Sequence, residues 1–298
     1  VFSGIGKNEN EIKHAIANDC FQINVESLAE LKKINQIAEG IGKVQNIGIR
    51  INPDVQSDTH EKITTGSLEN KFGISVNETL EIFNKTKEFS SLSITAIAFH
   101  IGSNIKDLSP FKNSFEVAKN LIDKIQLNYN SLKTIDVGGG ISPEERNFSF
   151  KDYYDMLISY FDKERFNFIF EPGRLIAADA GILVSKVLYT KISEGKKFII
   201  IDAGMNDMMR PALYDAEHEI LTSKLNDSDH NIETEIVGPI CESSDKFMRT
   251  TKFANIEEGD NVVIKNVGAY GSTMSSNYNA RPFICLLYTS DAADDRIG

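Results

Sequence analysis

Ile94-Thr95-Ala96-Ile97-Ala98-Phe99-His100-Ile101-Gly102-Ser103-Asn104 is an apolar run that empties into polar and glycine residues. The pattern returns twice downstream. Thr134-Ile135-Asp136-Val137 runs into Gly138-Gly139-Gly140, and Phe168-Ile169-Phe170 runs into Glu171-Pro172-Gly173-Arg174. Two further runs, Phe21–Val25 and Ile47–Ile51, lie upstream. All are rich in Ile, Val and Phe and nearly continuous rather than alternating, as parallel strands covered on both faces are.

Helical periodicity fills the intervals. Phe111, Phe115, Ala118, Ile122 and Ile125 form one apolar stripe, and Tyr154, Leu157, Ile158 and Phe161 form another. Asn8 and Asn77, each followed by glutamate, are expected N-caps. Repeated βα units mean a parallel α/β fold, and periodicity leaves barrel and doubly wound sheet both open. After about Ala178 the pattern changes. Val184–Ile192, Lys197–Asp202, Glu233–Val237 and Asn261–Asn266 read as strands of a second, mostly β domain. Only Asp215–Leu225 is expected to carry a helix there.

Composition narrows the function. The 298 residues are 41% hydrophobic and 25% charged, which is globular rather than disordered. A net charge of −11 argues against nonspecific binding to nucleic acid or to anionic membranes. No apolar run is long enough to span a bilayer, and no leader pattern opens the chain. The cysteines, Cys20, Cys241 and Cys285, are far apart and odd in number, pointing to a reducing, cytoplasmic setting. The run Cys285-Leu286-Leu287-Tyr288-Thr289-Ser290-Asp291-Ala292-Ala293-Asp294-Asp295 resembles translated adapter sequence, so residues 285–298 are expected to be a non-native tail.

In parallel α/β folds chemistry collects at the carboxyl ends of the strands. Singly, the three motifs are unconvincing: a packing histidine, a tight turn, a solvated ion pair. Together they suit one flat, anionic cofactor. Glycine N–H groups can cradle a phosphate, an imidazole can stack on a ring, a carboxylate can pair with a ring nitrogen and an Arg can hold an anion. The Walker, dinucleotide, C-x-x-C, H-E-x-x-H and G-x-S-x-G spacings are all missing, so no metal site is expected. The second half adds the segment from Asp202 to Tyr214, then Gly238-Pro239-Ile240-Cys241-Glu242-Ser243-Ser244-Asp245 and Gly268-Ala269-Tyr270-Gly271-Ser272. Taken alone, Cys241 reads better as a buried, inert thiol.

The order His-x-Gly-Ser, Gly-Gly-Gly, Glu-Pro-Gly-Arg, Cys-Glu-Ser-x-Asp, Ala-Tyr-Gly resembles the fold type III pyridoxal-phosphate decarboxylases. Met209-Arg210-Pro211-Ala212-Leu213-Tyr214 and Ser275-Ser276-Asn277-Tyr278-Asn279 resemble most the branch acting on meso-diaminopimelate. The resemblance runs from Val1 to about Pro282. It implies an incomplete (β/α)8 TIM-like barrel over residues 1–178, followed by a C-terminal β domain over residues 179–284.

It further implies that pyridoxal 5′-phosphate meets His100 on its ring face and Glu171 at its ring nitrogen. Ser103, Gly138, Gly139, Gly140, Gly173 and Arg174 are implied to bind the phosphate, and Tyr270 also to reach the cofactor. Arg174, Arg210, Tyr214 and Glu242, with Tyr270, are implied to hold an amino-acid substrate, and Cys241 to donate a proton. A homodimer with shared sites is implied, Cys241 and Glu242 serving the opposite subunit, and Lys71-Phe72-Gly73 matches a segment implicated in subunit contact. The family's Schiff-base lysine is expected upstream of Val1. Lys7 and Lys71 do not sit in its motif, so the chain is expected to be a fragment, inactive alone. The alternatives are decarboxylases of ornithine, arginine or carboxynorspermidine, or a non-catalytic relative.

Overall fold

The computed structural model describes residues 1–55, 71–144, 148–222 and 232–287. Most of the proposed tail, residues 288–298, lies outside the described residues. The chain divides into two compact units, Val1–Gly173 and Arg174–Gly298.

In the first unit, α1 (Glu9–Ala17), β1 (Ile23–Val25), α2 (Leu28–Ile41), β2 (Gln45–Arg50), α3 (Val76–Asn84), β3 (Leu92–Ala98), α4 (Ser109–Gln126), β4 (Thr134–Asp136), α5 (Phe150–Tyr160) and β5 (Asn167–Ile169) follow in order. The strands pair in parallel as β1-β2-β3-β4-β5, and Phe2 adds a further parallel bridge to Ile23. Strand order equals chain order throughout. A doubly wound sheet would reverse at a switch point, so this is the winding of a (β/α)8 barrel. Ile23, Ile47, Ile49, Ile97 and Ile135 are fully buried beneath helix residues such as Leu31, Phe115 and Leu157.

Two local expectations shift by a residue or two. Helix α3 is capped by Ser75, with a capping box to Glu78, rather than by Asn77. Helix α5 buries Tyr153 and leaves Tyr154 exposed, because its stripe meets the rings of Phe111 and Phe115. Asn8 caps α1 as expected, also in a capping box.

The second unit holds α6 (Arg174–Ala177), β6 (Leu183–Ser193), β7 (Lys196–Ile201), α7 (Arg210–Tyr214), β8 (Ile220–Thr222), β9 (Thr234–Val237), β10 (Lys246–Thr250) and β11 (Asn261–Ile264). Its six-stranded sheet runs β10-β9-β7-β6-β11-β8, antiparallel except for β7 beside β9. Val187, Ile199, Ile201, Ile236, Val262 and Ile264 form its core. The β6–β7 hairpin turns on Glu194 (φ 49°) and Gly195 (φ 79°), the left-handed pair that matches strand twist. The helix expected in 215–225 is not found among the described residues of that segment, which end at Thr222. The short α7 precedes it, Ile220–Thr222 pairs with β11, and residues 223–231 are outside the described set. Among the described residues, no helix is long and apolar enough to cross a membrane.

Candidate active site

The first unit gathers its polar groups where the parallel strands end. A cavity of about 370 Å³ is lined by Ser3, Asn24, Arg50, Phe72, His100, Asp136 and Glu171, among others. His100 follows β3, the glycine triplet follows β4 and Glu171 follows β5.

The triplet is required by close packing. Gly138 holds φ +66°, and a Cβ there would lie 2.6 Å from Phe99 O; Cβ atoms at Gly139 and Gly140 would overlap the carbonyl oxygens of Glu171 and Gly102. Its amides are partly committed. Gly138 N–H donates to Asp136 Oδ1 (3.1 Å) and Gly139 N–H to His100 Nδ1 (3.1 Å). Nδ1 is thus the acceptor, and the remaining proton sits on Nε2. Burial, with the nearby Arg50 cation, lowers the His100 pKa to about 4, so the ring is neutral at physiological pH. Ser103 lies on the loop 101–105, which packs Gly102 against Gly140 and bridges Ile105 to Ile141.

A directional chain of hydrogen bonds reaches Glu171. Gln22 Nε2 donates to Asn24 Oδ1 (2.7 Å), which fixes the Asn24 amide. Asn24 Nδ2 then donates to Asp136 Oδ2 (2.8 Å) and to Ser3 Oγ (3.0 Å). Ser3 Oγ donates its one proton to Glu171 Oε1 (3.0 Å), so Glu171 serves it as an acceptor. Gly48 makes room, since a Cβ there would lie 2.6 Å from Asn24 Oδ1. Burial, reinforced by the Glu171 charge, raises the Asp136 pKa to about 6. Beside this chain Arg50 Nη1 pairs with Glu26 Oε1 (2.6 Å) and covers the Phe72 ring at 5.0 Å.

Sequence reasoning missed Ser3, Asn24, Glu26 and Arg50. Their signal was a polar residue inside or just past an apolar run: Asn24 within β1 and Glu26 after it, Arg50 ending β2, and Ser3 after the Phe2 bridge. Lys7, set aside as a cofactor lysine, pairs with Glu30 Oε1 (2.8 Å) and donates to Asn24 O (2.8 Å) and Gly4 O, so its ammonium protons are engaged.

The second unit is built differently. Arg174, buried at the start of α6, lies over the Tyr270 ring at 5.6 Å. Arg210 is 3% exposed, and its Nη1 is 3.0 Å from His218 Nε2. His218 Nδ1 is 2.8 Å from Lys265 O, which can only accept. The imidazole is therefore the Nδ1–H tautomer, and Arg210 donates to Nε2. Tyr214 ends α7 half-buried.

Cys241 and Glu242 are both exposed, which overturns the buried-thiol alternative. Glu242 accepts from Tyr278 Oη, which raises the tyrosine pKa, and Asn279 Nδ2 donates to Cys241 Sγ at 3.4 Å. Their loop is held by Asp245, whose carboxylate accepts from Met205 N and Ile240 N at 2.7 Å each. A larger hollow of about 800 Å³, over Thr190, Ile199, Thr234 and Phe253, is lined by none of the motif residues.

The barrel cavity fits pyridoxal phosphate. It offers a carboxylate acceptor for a ring nitrogen, a neutral imidazole for a ring face and the Arg50 cation, bordered by a turn too tight for any side chain. The family model for the pyridoxal-binding domain of pyridoxal-dependent decarboxylases matches residues 1–178. Diaminopimelate decarboxylase of Helicobacter pylori is 41% identical over 295 residues, covering 98% of this chain and 73% of that protein. The Haemophilus influenzae diaminopimelate decarboxylase is 42% identical over 290 residues, 94% of this chain and 68% of the relative. The crystal structure of the H. pylori enzyme complexed with L-lysine superposes with a TM-score of 0.87 at 40% identity, covering 94% of this chain and 71% of that one. The chain belongs to the diaminopimelate decarboxylase family of pyridoxal-dependent decarboxylases.

Proposed function

We propose that the protein decarboxylates meso-2,6-diaminopimelate to L-lysine and CO2. The observation that carries this reading is Glu171, a carboxylate facing the barrel cavity and oriented by Ser3. Bound pyridoxal phosphate supplies the electron sink that accepts the electron pair left by departing CO2. Glu171 holds a proton at the ring nitrogen, which deepens that sink; an Arg there would leave the nitrogen neutral and suit a racemase. His100, neutral and fixed through Gly139, presents its ring to the cofactor face. Ser103, Gly138, Gly139, Gly140, Gly173 and Arg174 border the phosphate. Because Gly138 and Gly139 already donate within the protein, their contribution is shape more than hydrogen bonds.

Cys241 gives its thiol proton to the substrate carbon that has lost CO2. Arg174, Arg210, Tyr214, Glu242 and Tyr270 hold the substrate, whose distal end is a second amino-acid head bearing both charges. That end favours diaminopimelate over ornithine or arginine, and the relative's complex with L-lysine supports it. In this reading residues 1–178 hold the cofactor, residues 179–284 complete the substrate site, and a cytoplasmic homodimer lends Cys241 and Glu242 to the opposite subunit. The full-length holoenzyme is tested with meso-diaminopimelate, ornithine, arginine and carboxynorspermidine, following lysine and CO2. Lysine formed from diaminopimelate, at a kcat/KM far above the others, is expected. Preference for any of the other three overturns the assignment.

A further inference from the structure

Two loops of the second unit are clamped onto a third. Asp245 ties 238–245 to the 202–207 loop through Met205 N. On the other side Ser276 N donates to Asn206 O (2.9 Å) and Arg281 donates to Asp202 O. The clamped loops meet through two side-chain pairs, Tyr278 with Glu242 and Asn279 with Cys241. Asn279 and Ala280 both hold φ 56°. Two successive non-glycine residues in the left-handed region persist only where the surroundings impose them, and such strain collects at functional sites.

We infer that Asn279 and Tyr278 are positioning residues for the proton-donating pair. The inference rests on Cys241 being the donor. When the Cys241 S–H bond breaks and its proton passes to carbon, the Asn279 amide N–H steadies the thiolate left behind. The exposed sulfur then regains a proton from water. Tyr278 holds Glu242 turned beside it. The alternative is that Asn279 serves only the left-handed turn, which asparagine tolerates better than most residues.

Glycine tolerates that turn even better, so Asn279→Gly separates the two. Asn279→Asp keeps the shape and replaces the amide donor with an acceptor. Purified variants without cofactor are alkylated with iodoacetamide at pH 7, and peptide mass spectrometry follows Cys241 with Cys285 as internal reference. The thiolate is the reacting species, so losing its donor slows the reaction. Both variants are expected to label Cys241 about tenfold more slowly, as for one hydrogen bond to a charged group. The Cys285 rate and melting temperature should hold. An Asn279→Gly protein that labels like the parent overturns the inference; if that variant melts without cooperativity, the same comparison on Asn279→Asp decides. Failure here removes Asn279 alone, whereas undiminished turnover in Cys241→Ala would remove the donor itself.

Discussion

The two units solve different problems with different materials. Around the barrel cavity the groups sit at the ends of parallel strands. Asn24 and Asp136 are buried, and each donor is aimed at a defined acceptor. In the second unit Cys241 and Glu242 are exposed on a loop, held by two clamps rather than by a sheet. A flat cofactor rewards a fixed, pre-oriented site, and strand ends supply one. A proton donor must reach a substrate that arrives and leaves, and loops carry such groups.

The largest test of this contrast is Cys241→Ala. In the full-length holoenzyme, turnover should fall about 10²–10⁴-fold, the usual worth of a general acid, with melting temperature unchanged because the thiol is exposed. A change within about threefold would leave the second unit without its chemistry. Gly139→Ala should do the reverse. Its methyl would overlap Glu171 O, so about 1–3 kcal/mol of stability or more should go, as with other overpacked sites, and cofactor affinity with it. A Gly139→Ala protein that melts like the parent would show the barrel rim to be pliable.

Arg210→Met sharpens the comparison, because Arg210 is buried in the unit whose Cys241 and Glu242 are exposed. Its loss removes the buried hydrogen bond to His218 Nε2, at about 1–3 kcal/mol in stability. If it also binds the distal carboxylate, KM for diaminopimelate should rise about tenfold to a hundredfold. Lower stability with KM unchanged would remove it from substrate binding.

The smallest effect is electrostatic. Asp136, with its folded pKa raised to about 6, binds its proton more tightly in the native state. Its contribution to stability is present below about pH 4 and lost as pH rises through 6. His100, lowered to about 4, has the opposite slope: stability is gained as pH rises from 4 to 6.5. The two offset each other. Asp136→Asn should unmask the His100 slope, raising stability at pH 8 relative to pH 4 by on the order of 2 kcal/mol more than in the parent. Denaturant titrations at both pH values measure it, and equal differences in parent and variant would mean that folding does not raise the Asp136 pKa.

Much of this molecule was legible in its sequence because parallel strands are covered on both faces and so read as unbroken apolar runs. That pattern placed β3, β4 and β5, and with them His100, the glycine triplet and Glu171, whose joint occurrence at successive strand ends made a site legible where each alone did not. Periodicity placed α4 and its buried Phe111 and Phe115, and the Ser-Glu-Gly turn located the β6–β7 hairpin. Periodicity could not choose barrel over doubly wound sheet, since that depends on which strands pair, and only the unreversed order β1 to β5 settled it. Nor could it find the chain from Gln22 and Asn24 through Ser3 to Asp136 and Glu171, because Ser3, Asn24, Asp136 and Glu171 are far apart in sequence and each is an ordinary polar residue alone. Cys241 divided the two sources most clearly. Its residue type alone favours a buried core thiol, and its exposure beside Asn279 was decided by the loops that Asp245, Asn206 and Arg281 tie together.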